Sequence, residues 1–282
     1  MTTEKTTTVA SMQPFVIPSM PLDTIICGDN CEVMRTLPSE SIDLVVTSPP
    51  YDDLRTYGGH SWDFYGVAWN LKWLLKPGGV IVWVVNDETK DGEETGTSFR
   101  QALHFKEIGL RLHDTMIWDK GTFRFPETTR YYPFFEYMIV ASKGTPKTVN
   151  LLKDRKNKWV GAKVARASQV REVDGTLGSN AAFRNDPDRR FGEYGARGNI
   201  WQVNSTSLAG ERSDHPAPFP EALARDHILS WSNEGDVVLD PFSGSGTTAR
   251  MAKDNGRRFI GIELNPEYVE ISKKRLEQGV LF

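Results

Sequence analysis

The chain has 282 residues, of which 39% are hydrophobic and 25% are charged, and its formal net charge is −3. This length and composition are typical of a globular protein with a sizeable core. No apolar run approaches the roughly twenty residues that a membrane helix needs, so we expect none. The Thr-rich start resembles neither a secretory signal nor a transit peptide, and we expect residues 1–20 to be a flexible tail.

The chain contains two cysteines, Cys27 and Cys31. They lie four residues apart and have no companion cluster of Cys or His, which argues against a zinc site and against a disulfide framework. We therefore expect no metal, and a reducing cytoplasm is the compartment that fits.

Positive charge is concentrated in residues 143–212, which we call the basic segment. It contains fourteen Lys and Arg against seven Asp and Glu, whereas the rest of the chain contains 20 basic and 30 acidic residues. A basic segment within an acidic body predicts a polyanionic partner, although charge alone leaves open an ordinary solvated face.

Before the basic segment, short apolar runs alternate with helical patterns. Strands are predicted at residues 25–29, 42–46, 80–85, 112–118 and 136–141. Helices are predicted at residues 31–37 with Asn30 as the N-cap, around residues 69–74, and at residues 98–109. This alternation predicts an α/β fold with a doubly wound, mainly parallel sheet.

After the basic segment the alternation returns. A helix is predicted from Pro220 and Glu221, followed by a strand at 237–239, a helix at 246–254, a strand at 258–263 and a final helix at 266–278. These elements would complete the same sheet.

The predicted strand at 42–46 ends in Thr47-Ser48-Pro49-Pro50-Tyr51, which we call the Pro-Pro-Tyr motif. Proline lacks an N–H and has a fixed φ, so the carbonyls of this turn are rigid and have few internal donors. They could accept hydrogen bonds from an amino group while Tyr51 stacks on a planar ring. On its own, the motif fits a strand-ending turn with an aromatic plug better than it fits such a site.

A second motif follows the predicted strand at 237–239. Asp240 opens a Gly-rich turn in which Gly244 and Gly246 would let a ligand approach the backbone near a helix N-terminus. Glu263, which ends the next predicted strand, is the type of acid that binds ribose hydroxyls in nucleotide-binding sheets. A loose dinucleotide fingerprint leaves an NAD-dependent dehydrogenase open. Asp240 would repel a pyrophosphate, however, and favours a cationic or zwitterionic cofactor; the plain alternatives are a cap for Asp240 and a solvated strand end for Glu263.

Together these motifs resemble the S-adenosylmethionine-dependent DNA amino-methyltransferases. Their order, with the Pro-Pro-Tyr motif first, then the basic segment, residues 215–220 and the Gly-rich turn, is similar to that of the permuted β-group. The resemblance implies a Rossmann-like methyltransferase sheet made of a catalytic half at 21–142 and a cofactor-binding half at 213–282. The basic segment, 143–212, would be an inserted target-recognition region.

The resemblance also implies roles for individual residues. The target-base pocket would be formed by Ser48, Pro49, Pro50 and Tyr51. S-adenosyl-L-methionine would be bound by Asp29, Pro218, Phe219, Asp240, Phe242, Gly244, Gly246, Thr247 and Glu263. Within the basic segment we expect DNA contacts from Arg155, Lys156, Lys158, Arg166, Arg184, Arg189 and Arg190, with aromatic residues interleaved among them.

The implied chemistry suits these residue types. Hydrogen bonds from an exocyclic amine to Ser48 and to a carbonyl near Pro49 would favour a nucleophilic nitrogen, which attacks the methyl group directly. The base would have to leave the duplex to reach the pocket. Ring-carbon methylation is disfavoured because the chain has no Pro-Cys pair. In the family, Ser at the position of Ser48 leans toward cytosine N4, and adenine N6 is nearly as well supported.

The implied partner is double-stranded DNA, with a homodimer as in related β-group enzymes and a prokaryotic or phage-encoded, cytoplasmic protein. Nothing in the sequence identifies a cognate nuclease. Besides the dehydrogenase, a catalytically inactive DNA-binding module and a methyltransferase acting on RNA stay open.

Overall fold

The computed structural model describes residues 20–51, 62–121, 128–163, 169–171, 177–179, 189–204 and 220–277. The strands in this part of the chain are β1 (Thr24–Cys27), β2 (Ile42–Thr47), β3 (Leu75–Val85), β4 (Thr89–Lys90), β5 (Glu93–Glu94), β6 (Arg111–Asp119), β7 (Phe135–Ser142), β8 (Arg155–Lys156), β9 (Gln169–Arg171), β10 (Leu177–Ser179), β11 (Tyr194–Gly195), β12 (Ile200–Gln202), β13 (Val237–Asp240) and β14 (Arg258–Glu263). The helices are α1 (Asn30–Thr36), α2 (Phe64–Leu74), α3 (Thr97–Glu107), α4 (Glu221–Trp231), α5 (Thr247–Asp254) and α6 (Pro266–Glu277).

Eight strands form one sheet in the order β1-β14-β13-β2-β3-β7-β6-β12. Strand β7 runs antiparallel to both of its neighbours, and the other adjacent pairs are parallel. The predicted mainly parallel α/β sheet is therefore confirmed. Because β7 runs the other way, its first residues lie at the edge where the parallel strands end.

The central strands are apolar along nearly their whole length because helices cover both faces of the sheet. Helices α1 to α3 pack on one face, where Met34, Leu71 and Phe105 are fully buried. Helices α4 to α6 pack on the other, where Leu223 and Ile228 are fully buried. This two-sided packing makes the sheet doubly wound.

The cap of α1 differs from the prediction. Asp29, in extended conformation, is the N-cap, and its Oδ1 accepts a hydrogen bond of 2.9 Å from the Glu32 backbone N–H. The prediction of Asn30 as the cap is therefore wrong. The Asn30 side chain instead donates to the Pro241 carbonyl at 3.2 Å, which connects the start of α1 to the turn after β13.

Part of the basic segment belongs to the main sheet. Strand β12 pairs in parallel with β6, with Trp201 opposite Trp118. Trp201 is buried and stacks on His227 of α4, with ring centroids 4.4 Å apart. The sequence did not predict this strand because three residues are too few to show a period. The rest of the described segment includes the antiparallel pairs β8–β11 and β9–β10.

No helix in the described ranges combines the length and apolar character needed to cross a membrane. Nor do they contain a group of three or more His, Cys, Asp or Glu side chains arranged to bind a metal ion. The predicted tail lies outside these ranges apart from Met20.

Candidate active site

Segments that are distant in the sequence meet at one edge of the sheet. Parallel strands end at the same edge, so the residues that follow β1, β2, β13 and β14 come together there. These are Asp29, the Pro-Pro-Tyr motif, the Gly-rich turn at 241–246, and Glu263. Strands β2 and β13 are immediate neighbours, which brings the two predicted motifs side by side.

A hydrogen bond joins the two motifs directly. Thr47 Oγ1, at the end of β2, donates to Asp240 Oδ1 at 2.6 Å, and the same oxygen accepts from the Phe242 backbone N–H at 3.0 Å. The Asp240 side chain is buried, and burial raises its pKa to about 6, although these hydrogen bonds act in the opposite direction. Asp240 therefore organises the Gly-rich turn and places a carboxyl group beneath it.

Glu263 faces the same turn. Its Oε2 accepts from the Gly244 backbone N–H and its Oε1 from the Asn265 N–H, both at 2.8 Å. A carboxylate offers about four lone-pair positions, so each oxygen can still accept a bond from a ligand hydroxyl. The side chain is half-buried, at the end of β14.

Gly246 is required by packing. Its φ is +78°, and a Cβ at this position would lie 2.9 Å from the Cβ of Ser272 on α6. The Ser272 hydroxyl donates to the Gly244 carbonyl at 2.7 Å. The neighbouring helix is therefore one structural reason for glycine at position 246, in addition to the approach of a ligand that the sequence predicts.

Phe242 belongs to an aromatic cluster beside the turn. Its ring centroid lies 4.9 Å from that of Trp62 and 6.2 Å from that of Trp83. Trp83 is fully buried, and its indole N–H donates to Gln101 Oε1 at 2.8 Å. The cluster forms an apolar wall, and the sequence showed no sign that Trp62 and Trp83 would be part of it.

The Pro-Pro-Tyr motif participates in a polar chain. Ser48 Oγ lies 2.9 Å from the Tyr51 hydroxyl oxygen, and that hydroxyl donates to Glu136 Oε2 at 2.7 Å. Lys120 Nζ donates to the other oxygen of Glu136 at 3.2 Å. Sequence reasoning missed Glu136 and Lys120; the available signal was a charged residue at the start of the otherwise apolar run that forms β7.

Thr247 and Arg275 connect α5 to α6. Thr247 is buried, and its Oγ1 accepts a hydrogen bond of 3.0 Å from Arg275, which also donates to the Ser245 carbonyl at 3.2 Å. Arg275 pairs in addition with Glu221 of α4. The Thr247 hydroxyl is therefore hydrogen-bonded within the protein, and Arg275 connects the Gly-rich turn to α6.

The other predicted site residues are partly exposed, partly buried and partly outside the described ranges. Asp29 is exposed at the end of β1, and one of its oxygens caps α1. Pro218 and Phe219 lie outside the described residues. Pro49 is buried and Pro50 half-buried in the turn after β2.

The basic residues that the structure describes lie on an exposed surface around β8 and β11. Arg155, Lys156, Lys158, Arg189 and Arg190 are all exposed, and Arg166 and Arg184 lie outside the described residues. Aromatic side chains accompany them, since Trp159 is 70% exposed and Tyr194 is 50% exposed. Cations and exposed rings on one surface suit contacts with a phosphate backbone and with bases or sugars.

The acids around the Gly-rich turn distinguish between cofactors. Asp29, Asp240 and Glu263 place three carboxyl groups at this edge, which would repel the pyrophosphate of a dinucleotide. They suit a ligand with ribose hydroxyls and positive charge, and S-adenosyl-L-methionine has both. The carboxylates at this edge therefore fit this cofactor.

Comparisons with known proteins agree with this geometry. A family model described as DNA methylase matches residues 42–274. An orphan methyltransferase of Bacillus amyloliquefaciens, M.BamHII, is 52% identical over 86% of this chain and 91% of its own. The DNA adenine methyltransferase YhdJ of Escherichia coli K12 is 29% identical over 90% of this chain and 82% of its own.

Solved structures show the same fold. A DNA modification methylase of Thermus thermophilus, TTHA0409, in complex with S-adenosyl-L-methionine, is 28% identical with a TM-score of 0.58 over 90% of this chain and 94% of its own. The cytosine-N4-specific PvuII methyltransferase is 21% identical with a TM-score of 0.63 over 92% and 87% of the two chains, and shows the fold alone. The chain thus belongs to the DNA methylase family, whose members use S-adenosyl-L-methionine as the methyl donor.

Proposed function

We propose that this protein methylates the exocyclic amine of a base flipped out of duplex DNA, at a specific site. The observation that supports this most is the hydrogen bond of 2.6 Å between Thr47 and Asp240, since it joins the Pro-Pro-Tyr motif to the Gly-rich turn. A base bound at the first motif would then lie next to a cofactor bound at the second.

The cofactor residues follow from the position of the turn. Glu263 would accept hydrogen bonds from the ribose hydroxyls, and Asp29 would contact the adenine end. Asp240, Phe242, Gly244, Gly246 and Thr247, together with Pro218 and Phe219, would surround the methionine portion. When bound, the cofactor supplies an electrophilic methyl group on a sulfonium ion.

The protein's contribution to the reaction is to orient the amine. Ser48 and a carbonyl near Pro49 would accept the two N–H bonds of the amine, which directs the nitrogen lone pair away from the ring. Tyr51 would stack on the flipped base. The new N–C bond would form as the sulfonium S–C bond breaks, which leaves a neutral thioether, and the methylated nitrogen would then release one proton to water. The rate enhancement then comes from positioning and from fixed dipoles, and no covalent intermediate with the protein is required.

Cytosine N4 is the target that Ser48 favours. Adenine N6 is the second candidate, and the relative that is named an adenine methyltransferase supports it. Both bases present the same kind of amine, so the polar groups of the pocket serve either one.

The basic segment, 143–212, would recognise the target, and the halves at 21–142 and 213–282 would form the methyltransferase domain. The exposed cations of the basic segment would neutralise phosphates, and side chains on the same surface would read base edges. Residues 200–202 belong to the sheet, so the part that contacts DNA would end before β12.

We propose that two copies of the chain associate. Tyr65, Trp69 and Trp73 recur every four residues on α2 and are each more than half exposed, and Phe99 and Leu103 add apolar surface on α3. Apolar patches of this kind mark association sites, and symmetric dimers are the commonest result. Sedimentation should give a dimer for the wild type and a monomer for Trp69→Lys/Trp73→Lys; a wild-type monomer would refute the proposal.

The bacterial relatives support a cytoplasmic protein of a bacterium or its phage, where DNA is accessible.

Methylome sequencing of a methylation-deficient host that expresses the protein tests the proposal. We expect one modified sequence, with the modified base identified as N4-methylcytosine or N6-methyladenine, and no modification with Tyr51→Ala. In vitro, labelled methyl groups should enter duplex DNA and not RNA. A thermal shift with NAD but not with S-adenosyl-L-methionine would establish the dehydrogenase instead, and DNA binding without methyl transfer would indicate an inactive module.

A further inference from the structure

We propose that Glu136, supported by Lys120, is a positioning residue that makes the Ser48 hydroxyl a hydrogen-bond acceptor toward the target amine. The inference rests on the proposed function, because the amine is the group that Ser48 would face. Neither Glu136 nor Lys120 belongs to the two motifs from which that function is argued.

The antiparallel strand explains how Glu136 reaches the site. Glu136 is the second residue of β7, which begins at the edge where β2 and β6 end, and Lys120 follows the last residue of β6. The Glu136 side chain is 12% exposed and that of Lys120 is 20% exposed. Their charges, 3.2 Å apart, are therefore largely sheltered from water, where an ion pair is stronger than at an open surface.

The direction of the hydrogen bonds follows from proton counting. An ionised carboxylate can only accept, so the single hydroxyl proton of Tyr51 goes to Glu136 Oε2 at 2.7 Å. The Tyr51 oxygen lies 2.9 Å from Ser48 Oγ, and it has no second proton to donate. Ser48 must donate to Tyr51, which leaves only lone pairs on Ser48 Oγ for any other partner.

This polarity matters for the proposed amine. An exocyclic amine presents two N–H donors, and a Ser48 that offers lone pairs can accept one of them. If Tyr51 instead donated to Ser48, the Ser48 proton would point toward the amine. There it would meet N–H donors or compete for the nitrogen lone pair. Only the inferred direction, with Ser48 donating to Tyr51, favours a nucleophilic nitrogen.

Lys120 makes this direction testable. Since Lys120 Nζ donates to Glu136 Oε1, a glutamine at position 136 would turn its carbonyl oxygen toward Lys120 and its NH₂ group toward Tyr51. The NH₂ group would donate to Tyr51 and Tyr51 would donate to Ser48, so both hydrogen bonds would reverse their direction. With methionine at position 120, glutamine is free to offer its oxygen to Tyr51, and the original direction returns.

The experiment measures kcat and KM for duplex DNA at saturating S-adenosyl-L-methionine. It compares the wild type with Glu136→Gln, Lys120→Met and the double variant. We expect Glu136→Gln to lower kcat by about 10- to 100-fold with little change in KM, and Lys120→Met to lower it less. The double variant should recover at least about tenfold over Glu136→Gln, which a merely structural ion pair would not allow.

Thermal unfolding and calorimetric cofactor binding control for the fold of each variant. A wild-type kcat in Glu136→Gln, or a double variant no better than Glu136→Gln, would overturn the inference. If Glu136→Gln does not fold, Tyr51→Phe serves in its place, because it removes the hydroxyl that Ser48 and Glu136 share. A wild-type kcat in Tyr51→Phe would also overturn the inference. A wild-type protein that methylates no DNA would overturn the proposed function instead.

Discussion

Asp240 combines two functions in one side chain. Its Oδ1 accepts hydrogen bonds from Thr47 and from the Phe242 backbone, so it shapes the Gly-rich turn. The negative charge that Asp240 would present to the proposed cofactor is costly, because the carboxyl group is buried and its pKa is raised to about 6. Stability and cofactor binding therefore place opposite demands on this residue.

We predict that Asp240→Asn stabilises the protein and weakens cofactor binding. A folded pKa of about 6, above the ordinary 3.8, means that the contribution of Asp240 to stability is lost as pH rises through 6. The asparagine oxygen still accepts both bonds, so the variant should exceed the wild type by about 1 to 3 kcal/mol at pH 8 and by less at pH 5. Chemical denaturation at the two pH values measures this difference, and calorimetry should show cofactor affinity lower by at least about tenfold.

Thr47→Val is the matched control, because it removes a donor to the same oxygen and keeps the charge. It should lose about 1 kcal/mol or more at both pH values. An Asp240→Asn protein that is less stable than the wild type at pH 8 would contradict the prediction.

The residue scale also shows where sequence reasoning succeeds and fails. The two motifs were recognisable because Pro, Gly and acidic residues have local conformational reasons to follow strands, and Asp240 and Glu263 do lie at the expected edge. Glu136 stood out only as a charged residue at the start of an apolar run, and its role was missed because its partner Tyr51 lies 85 residues away and no local pattern depends on the pair. The capping role of Asp29 was missed because Asn30 is an equally good capping residue by type.

At the scale of elements, α4 is connected to the sheet through His227. The ring is fully buried and stacks on Trp201 of β12, and its Nε2 lies 3.1 Å from the Met138 sulfur. Burial, with a smaller effect of the nearby Arg197, lowers the pKa of His227 to about 3. Burial at this position therefore favours the neutral imidazole in the folded protein.

We predict that His227 makes the fold sensitive to acid. A folded pKa of about 3, below the ordinary 6.5, means that its contribution is complete above pH 6.5 and is lost as pH falls toward 3. At pH 5.5 the loss should be about 1.4 kcal/mol. Denaturation of His227→Phe, which keeps a ring against Trp201, should show a smaller decrease from pH 8 to pH 5.5 than the wild type. Asp240 changes stability with pH in the opposite sense, but it does so in both proteins, so its effect cancels in the comparison. Equal decreases in the stability of the two proteins would refute the prediction.

The contact of α5 with α6 depends on Gly246. Gly246→Ala would place a methyl group 2.9 Å from the Ser272 Cβ at a φ of +78°, so it combines backbone strain with a steric clash. Gly235→Ala is the control, because its φ of +82° is similar and a Cβ added there would have no neighbour within 4 Å among the described residues. We predict that Gly246→Ala loses about 1 to 3 kcal/mol more than Gly235→Ala in thermal unfolding. Equal losses would show that Ser272 moves aside at no cost.

Element lengths determined how well the fold could be predicted. The long apolar run of β3 and the periodic helices after residue 220 contain enough residues to show a pattern. Strand β12 does not, and its position depends on the Trp201–His227 stack and on the Trp118 indole N–H, which donates to the Val203 carbonyl at 2.7 Å. Such contacts join distant segments, and a single sequence contains no record of them.

At the scale of the whole molecule, charge is divided between a basic surface and an acidic sheet edge. The exposed cations around β8 and β11 would bind the DNA backbone, and the carboxyl groups around the Gly-rich turn would bind the cofactor. A net charge of −3 therefore conceals two surfaces of opposite sign.

We predict that Lys156→Ala/Lys158→Ala weakens binding to all DNA sequences alike. If each lysine contacts one phosphate, as we propose, their loss should reduce the slope of log affinity against log salt by about 2, without changing cofactor affinity. Fluorescence anisotropy at several salt concentrations measures this slope. The control, Lys106→Ala/Lys273→Ala, removes two exposed charges from α3 and α6 and should leave the slope unchanged. Equal effects of the two pairs would mean that net charge matters and position does not.

The pairing of β12 with β6 limits how the proposed recognition region could be exchanged between relatives. A chimera that replaces residues 143–212 would also remove β12, and with it the hydrogen bonds to β6 and the aromatic partner of His227. A graft bounded by residues 143 and 198 would leave the sheet intact. New DNA specificities should therefore be obtained by joining chains just before Asn199, whose carbonyl accepts a hydrogen bond from the Ile117 backbone N–H at 2.8 Å.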